Sequence, residues 1–249
     1  MTWLGAIWRL VRLCLHVWAG RRTLGPTWER LTVAERRDTV QQWSANALRI
    51  LGVGWRVDGE PPQSGPALVV CNHVSWLDIL VLNAVRPCRF VSKSDVKDWP
   101  LLGPLVAASG TVFIERAKRR DALRVVHHMA ERLLDGDVLA VFPEGTTGDG
   151  SAVLPFHANL LQAALATETP VWPVALAYQH GVGGAPHTAP VYVGDTTLLA
   201  SVWRTVTAKD LVASVRLGRP DTAQGRDRRT WSDALRRDVA QLLNRPTID

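Results

Sequence analysis

Short apolar runs recur along the chain from residue 67 onward, and stretches with helical periodicity separate several of them. Five runs have the length and composition of buried strands, at residues 67–71, 89–92, 111–114, 138–142 and 171–177. Helices are predicted over 118–134 and 158–167. Because continuously apolar strands that alternate with helices are typical of parallel sheets, the pattern predicts an α/β fold with a mixed, mainly parallel sheet flanked by helices.

The C-terminal part of the chain adds fewer elements to this sheet. Residues 179–190 are rich in Gly, His and Pro and predict a loop. A late strand is expected at 212–217 and a closing helix at 231–243. Pro173 lies within an apolar run and has no N–H for a strand ladder, so it favours an edge strand or a bulge.

Two helices are predicted before the sheet begins. The first covers residues 2–20 and ends at Gly20. The second begins near Thr32, where the spacing to Glu35 predicts a capping box, and it ends at Gly52.

The segment formed by residues 1–54 is predicted to associate with a membrane, and residues 55–249 are predicted to form the α/β domain. Four of the 11 tryptophans fall within the first 28 residues: Trp3, Trp8, Trp18 and Trp28. Indole rings favour membrane interfaces, although core packing is the alternative interpretation. No run reaches the roughly 18 to 20 apolar residues that span a bilayer, so a helix lying in the interface is expected. Four arginines are expected to reach lipid phosphates: Arg9, Arg12, Arg21 and Arg22.

The charge balance points to anionic partners without choosing among them. Lys and Arg outnumber Asp and Glu by 29 to 23, which gives a net charge of +6. A nucleic-acid binder is disfavoured because the chain lacks a zinc-finger, helix-turn-helix or aromatic RNA-binding signature. The three cysteines, Cys14, Cys71 and Cys88, show no CxxC spacing and predict buried thiols in a reducing compartment.

The residues with the clearest chemical potential follow the run 67–71. His73 stands directly after it, and Asp78 lies five positions further on. A turn between them brings the carboxylate back to the imidazole, where it fixes the tautomer and leaves the second ring nitrogen as a base. The alternative interpretation is a histidine that a nearby acid satisfies for structural reasons.

Two further apolar runs also end in distinctive residues. Arg116 follows the run 111–114, and Glu144 and Gly145 follow the run 138–142. In parallel sheets the working residues collect where strands end and loops begin. We therefore expect these side chains near His73.

Four motifs stand in a fixed order: NHxSxxD at 72–78, FIxR at 113–116, FPEGT at 142–146 and VxPVA at 171–175. A segment that begins at Lys93 and runs to Gly103 lies between the first two. This ordered set resembles the glycerolipid acyltransferase family, which contains 1-acylglycerol-3-phosphate O-acyltransferase. The resemblance covers roughly residues 66–177, and four motifs in order are far more specific than any one of them.

The resemblance implies a role for each matching residue. His73 is the general base that takes the proton from the acceptor hydroxyl, and Asp78 orients it. The resulting alkoxide attacks a thioester carbonyl directly, without an acyl-enzyme. Arg116 corresponds to the arginine that meets the acceptor phosphate, and Lys93 to a second phosphate ligand. Three residues match the block that holds the glycerol part of the acceptor: Glu144, Gly145 and Thr146.

The chain departs from the family at two cationic positions. Thr147 stands where the family commonly has an arginine, and His157 stands where it usually has a lysine. These losses leave room for another acceptor, such as lyso-ornithine lipid, whereas Arg116 favours 1-acylglycerol-3-phosphate.

The expected activity is transfer of a fatty acyl group from acyl-CoA or acyl carrier protein to 1-acylglycerol-3-phosphate, which forms phosphatidic acid in phospholipid biosynthesis. A different lyso-lipid acceptor is the alternative. We expect no metal ion and no bound cofactor, since the acyl thioester is a co-substrate. A monomer is expected on the cytoplasmic face of the inner membrane, bound peripherally or monotopically.

Two other classes compete with this interpretation. A serine hydrolase of lipid esters is disfavoured because no serine lies in a GxSxG motif. A non-catalytic membrane-bound relative is disfavoured because both His73 and Asp78 are present.

Overall fold

The computed structural model of the protein describes residues 3–98, 102–114 and 119–248. The helices are α1 (Trp3–Thr23), α2 (Pro26–Arg30), α3 (Val33–Leu51), α4 (Leu77–Val85), α5 (Gly103–Ala108), α6 (Arg119–Leu134), α7 (Gln162–Ala166), α8 (Leu198–Thr207) and α9 (Arg228–Leu243). The strands are β1 (Gly54–Asp58), β2 (Ala67–Cys71), β3 (Arg89–Lys93), β4 (Val112–Ile114), β5 (Val138–Val141), β6 (Val171–His180) and β7 (Leu211–Leu217). Short 3-10 helices cover Ser94–Asp98 and Ala158–Leu161.

The strands form one sheet in the order β1-β7-β6-β2-β5-β3-β4. The β6–β7 pair is antiparallel, and the other neighbouring strands run parallel. The predicted mixed, mainly parallel sheet is therefore confirmed.

Helices cover the sheet on both faces, which explains why β2 is apolar at every position. Ala67, Val69 and Cys71 pack into a core with α3 and α4. Leu68 and Val70 point to the other face and pack into a core with α6, α7 and α9. Because successive side chains of a strand alternate between faces, a strand buried on both sides reads as a continuous apolar run.

The two predicted N-terminal helices are present, with differences at their ends. Gly20 does not end the first helix; it lies inside α1, where an added Cβ would come within 2.5 Å of Trp43 Nε1 on α3. The glycine therefore serves close helix packing. The capping box at Thr32 and Glu35 is confirmed, and Gly52 ends α3 with φ +78°.

The side chain of Arg9 points inward, so its predicted contact with lipid phosphates is wrong. Its guanidinium donates to the carbonyl oxygens of Leu51 at 3.3 Å and Val206 at 2.9 Å. Both carbonyls lie in the last turns of helices, α3 and α8, where helices leave unpaired acceptors. Arg9 thus joins α1 to the body of the domain.

A face of α1 carries large apolar side chains into solvent: Leu4, Trp8, Val11, Leu15 and Trp18, with Trp3 beside them. We call these six residues the apolar face of α1. Their spacing of three to four residues places them along one side of the helix. Among the described residues, no helix combines the length and apolar character that crossing a bilayer requires.

Several other expectations need correction. Strand β1 and helices α2, α4, α5 and α8 were not among the predicted elements. The predicted helix 158–167 is divided into a 3-10 turn and α7. Cys71 and Cys88 are buried free thiols as predicted, but Cys14 is exposed.

Pro173 lies in an interior strand, since β6 has β2 on one side and β7 on the other. The edge-strand alternative is therefore wrong. Val174 pairs with Leu217, while Val171 pairs with Asp221, so the opposite chain has one residue more between the two pairs. Pro173 sits opposite this bulge, where the missing N–H disturbs the ladder least.

Candidate active site

The loop that follows β2 is fixed to β6 by an asparagine. Asn72 is buried, and its amide nitrogen donates to Leu176 O at 2.9 Å. Its amide oxygen accepts from Leu176 N at 2.8 Å. β6 continues past the end of β2, so its backbone has unpaired groups at this level that Asn72 satisfies. This clamp defines where the next residue, His73, leaves the sheet.

His73 and Asp78 form the hydrogen-bonded pair that their spacing predicts. Nδ1 of His73 lies 2.8 Å from Asp78 Oδ2. The same carboxylate oxygen accepts the backbone N–H groups of Val74 at 2.7 Å and Ser75 at 2.9 Å. Asp78 sits in the first turn of α4 and is fully buried, so the turn from 73 to 78 closes around its carboxylate.

The imidazole of His73 is partly exposed, whereas its carboxylate partner is not. The His73 side chain retains 19% of its exposure, while that of Asp78 has none. Among the residues that the structure describes, none bonds to Nε2. With Nδ1 donating to the carboxylate, Nε2 is the acceptor, which is the tautomer a general base needs.

The flat face of the imidazole is supported from the neighbouring strand. The His73 ring stacks on Phe142, with 4.0 Å between centroids and 11° between planes. Phe142 directly follows β5, which lies beside β2 in parallel register. Phe90 of β3 stacks in turn on Phe142 at 5.8 Å. Side chains on or directly after three adjacent strands, β2, β5 and β3, therefore set the orientation of the imidazole.

Glu144 lies behind the His73 loop with both carboxylate oxygens engaged. Oε2 accepts from His73 N at 3.1 Å, and Oε1 accepts from Leu154 N at 3.2 Å. The residue is only 6% exposed. Burial, opposed by these two hydrogen bonds, raises the pKa of Glu144 to about 7. Glu144 therefore joins two loops through hydrogen bonds to its two carboxylate oxygens. Its predicted contact with substrate stays a prediction.

The neighbouring motif residues are placed at the same edge of the sheet. Gly145 has φ +70°, a conformation that favours glycine, and its N–H donates to Phe142 O at 3.1 Å. Thr146 is exposed beside it. Lys93 ends β3 at this edge, although its side chain is not described. Arg116 lies outside the described residues.

Thr147, which replaces the family's arginine, has a partner of its own. Its hydroxyl donates to the carbonyl oxygen of Tyr192. Tyr192 N donates to Val74 O at 3.0 Å, and Gly148 N donates to His73 O at 2.7 Å. The segment around Tyr192 is thereby bonded to both loops that carry the site. Thr147 is engaged in this backbone contact.

Sequence reasoning missed Tyr178 of β6. Its hydroxyl donates to Asp78 Oδ1 at 2.7 Å, and the residue is buried. Burial and the Asp78 carboxylate raise the pKa of Tyr178 well above its ordinary value. A hundred residues separate the two partners, so no local motif pointed to the contact.

Two shallow surface cavities lie on α9, away from these residues. One, of about 350 Å³, is lined by residues 156–159 with Arg228, Arg229 and Asp233. The other, of about 450 Å³, surrounds the end of α9 and includes Arg237 and Arg245. Neither contains His73 or Asp78, although the first includes His157, which stands at a position where the family usually has a lysine.

The site is one in which a histidine, held by a buried carboxylate, presents a basic nitrogen at the carboxyl edge of a parallel sheet. Such a group takes a proton from a hydroxyl and so prepares an oxygen nucleophile. The arrangement therefore has the geometry that general-base catalysis requires.

Comparison with known proteins identifies the family. A family model described as Acyltransferase matches residues 55–177. The chain is 37% identical to the lyso-ornithine lipid O-acyltransferase of Pseudomonas aeruginosa over 204 residues, covering 80% of this chain and 78% of the relative. It is 36% identical to the 1-acyl-sn-glycerol-3-phosphate acyltransferase of Neisseria gonorrhoeae over 242 residues, covering 94% and 93%.

A solved structure shares the fold. The crystal structure of the 1-acyl-sn-glycerophosphate acyltransferase of Thermotoga maritima matches with a TM-score of 0.69 at 21% sequence identity, over 97% of this chain and 96% of that chain. The chain therefore belongs to the glycerolipid acyltransferase family, and the family resemblance of its four motifs is confirmed. The relatives differ in the acceptor that their names give.

Proposed function

We propose that this acyltransferase uses His73 as a general base and acylates the hydroxyl of a lyso-lipid at the membrane surface. The observation that carries the proposal is the 2.8 Å contact between Nδ1 of the partly exposed His73 ring and the buried Asp78 carboxylate. A histidine with a purely structural role would be expected to use both ring nitrogens, whereas no described residue bonds to Nε2.

The proposed reaction needs only groups that this chain and its two substrates supply. His73 Nε2 takes the proton of the acceptor hydroxyl as the oxygen attacks the thioester carbonyl carbon. The carbon–sulfur bond then breaks, and the thiolate leaves and receives the proton from the imidazolium. Asp78 stabilises the positive charge that His73 carries between the two proton transfers. No acyl-enzyme, metal ion or bound cofactor takes part.

Lyso-ornithine lipid is the acceptor that we place first. Thr147 stands directly after the FPEGT motif, where the family commonly has an arginine, so one cation is absent there. The Thr147 hydroxyl donates to Tyr192 O. His157 removes a second cationic position. Ornithine, an amino acid, brings no phosphate and so has less need of these cations. Relatives named for this acceptor, from Pseudomonas aeruginosa and Brucella abortus, are 37% and 36% identical to the chain.

1-Acylglycerol-3-phosphate is the second candidate. Arg116 is retained in the FIxR motif, and a guanidinium is well suited to a phosphate. The Neisseria gonorrhoeae relative, named for this acceptor, matches along 94% of the chain. Acyl-CoA and acyl carrier protein are both compatible with the basic charge of the protein.

The apolar face of α1 is proposed to rest in the membrane interface, on the cytoplasmic face of the inner membrane, with the protein acting as a monomer. Trp8 and Leu15 are 61% and 57% exposed, although both are strongly apolar. Leu15→Asp should weaken co-sedimentation with anionic phospholipid vesicles. Leu134→Asp is the matched control, because Leu134 is 75% exposed on α6, across the sheet from α1. Equal retention of the two variants on vesicles would refute the assignment of the interface.

The activity is tested with labelled acyl-CoA and acyl carrier protein against a panel of lyso-lipids in detergent. His73→Ala should lower the transfer rate by at least about 100-fold with unchanged unfolding, because a general base contributes 10²–10⁴-fold. His127→Ala is the matched control, since His127 is an exposed histidine on α6. Transfer by His73→Ala at the wild-type rate would sink the proposed mechanism.

A further inference from the structure

Tyr178 occupies a position that none of the family motifs marks. It lies in β6, two residues after Leu176, and its side chain points to the same face of the sheet. That face packs against α4, which carries Asp78. The strand therefore brings a phenol to the carboxylate from the side opposite the His73 loop.

The two carboxylate oxygens of Asp78 accept different numbers of hydrogen bonds. Oδ2 receives three N–H groups, those of the His73 ring and of the Val74 and Ser75 backbones. Oδ1 receives the Tyr178 hydroxyl, and no other donor to it is present in the described parts of the chain. A buried carboxylate oxygen without a donor is strongly disfavoured. The bond from Tyr178 is therefore the contact, among the described residues, that holds the second oxygen of the carboxylate.

We infer that Tyr178 is a positioning residue for acyl transfer, which acts on His73 through Asp78. The hydroxyl holds Oδ1 so that Oδ2 stays in line with His73 Nδ1 while the imidazole gains and loses a proton at Nε2. The inference rests on the proposed function. The phenol keeps its own proton throughout, because burial and the neighbouring carboxylate raise the pKa of Tyr178. No proton passes through it.

The experiment removes only the hydroxyl, with Tyr178→Phe. The matched control is Thr205→Val, which removes a buried hydroxyl that donates to Ser201 O at 2.9 Å on α8. For Tyr178→Phe we expect kcat to fall about 10-fold, as for loss of one hydrogen bond to a charged group, with KM for both substrates changed less than about twofold. Thr205→Val should lose a similar amount of stability and keep its kcat.

A second arm tests whether the effect passes through Asp78. In an Asp78→Asn background, adding Tyr178→Phe should change kcat by less than about twofold, because the carboxylate that it orients is already gone. A further 10-fold loss in that background would overturn the inference. So would an unchanged kcat for Tyr178→Phe alone in an active wild-type preparation. Absence of acyl transfer by the wild type with every acceptor and donor would instead reject the proposed function, and the inference with it.

A milder perturbation tests the inference if the Tyr178→Phe variant does not fold. The chain has two tyrosines, and the hydrogen bonds of Tyr192 involve its backbone. Biosynthetic 3-fluorotyrosine in a Tyr192→Phe background therefore labels Tyr178 alone. Fluorine makes the phenol a stronger donor without removing the bond. We expect a changed kcat with both KM values held, and an unchanged kcat overturns the inference.

Discussion

Replacing Glu144 by glutamine tests the hydrogen bonds by which Glu144 joins the His73 loop to Leu154. The variant separates the effect of these hydrogen bonds on stability from the effect of burying an ionisable group. The carboxylate accepts two backbone N–H groups, those of His73 at 3.1 Å and Leu154 at 3.2 Å. A glutamine has one acceptor oxygen and a donor NH₂ group, so one of these N–H groups loses its partner and faces another donor. Such a loss in a buried position costs about 1–3 kcal/mol of unfolding free energy.

The titration of Glu144 changes stability in the opposite direction, because ionisation of the buried carboxyl destabilises the folded wild type. The pKa of Glu144 is about 7 in the folded protein against 4.5 for an ordinary glutamate, so the folded state holds the proton more tightly. The wild type therefore has its full stability below pH 4.5 and loses this contribution as the pH rises through 7. At about 1.4 kcal/mol for each pH unit, the loss amounts to about 3 kcal/mol. Glu144→Gln has no ionisable group at this position, so it does not lose this unfolding free energy as the pH rises.

Urea unfolding between pH 5 and pH 8, followed by tryptophan fluorescence, measures both effects. At pH 5 the Glu144 carboxyl is protonated but still presents two acceptor oxygens where glutamine presents one, so Glu144→Gln should be less stable than the wild type. At pH 8 the variant should equal or surpass the wild type. Glu60→Gln is the matched control, because Glu60 is exposed and should show a constant difference. A stability difference for Glu144→Gln that is the same at both pH values would refute the reasoning, since it would mean that the carboxyl titrates as it does in water.

Two further variants test contacts that the structure adds to the sequence. Thr147→Arg restores the family's cation and should raise kcat/KM for 1-acylglycerol-3-phosphate relative to lyso-ornithine lipid by about 10-fold. Thr147→Val, which only removes the bond to Tyr192, should leave this ratio unchanged. An equal ratio in both variants would contradict the proposal that the missing cation at residue 147 favours lyso-ornithine lipid. Arg9→Met removes the bonds that join α1 to two helix ends and should lower the unfolding free energy by about 1–3 kcal/mol in urea. Arg12→Met, on the exposed side of α1, should have no such effect, and equal losses would rule out the anchoring role of Arg9.

The central strands could be predicted because local composition identifies them. β2 was predicted at its observed ends, since five consecutive apolar residues between polar neighbours suit only a strand buried on both faces. β1 was missed for the opposite reason. Its residues are mostly exposed at the sheet edge, and its partner β7 is more than 150 residues away. Nothing within the segment 54–58 records that pairing.

Helix α4 was missed although it carries Asp78. Its sequence is apolar at most positions, and six of its nine residues are buried. A helix that is buried nearly all round has no polar face, so its periodicity is lost in the pattern. The contact between His73 and Asp78 was predicted better than the local structure around it, because their spacing depends on a single turn. The role of Arg116 as a phosphate ligand stays a prediction.

The parts of the site differ in how they are held, and this difference bears on acceptor choice. His73 is fixed by β2, β5 and β6 together, through Asn72, Phe142 and the Asp78–Tyr178 contact. Thr147 lies on a connecting loop and is joined to its surroundings by one side-chain hydrogen bond to Tyr192 O. A change of the Thr147 side chain therefore removes none of the contacts of Asn72, Phe142 and Tyr178, although the neighbouring Gly148 N donates to His73 O at 2.7 Å. Relatives named for two different acceptors are nearly equally identical to this chain. On the proposed function, this arrangement would let the acceptor head group change while the contact between His73 and Asp78 stays constant.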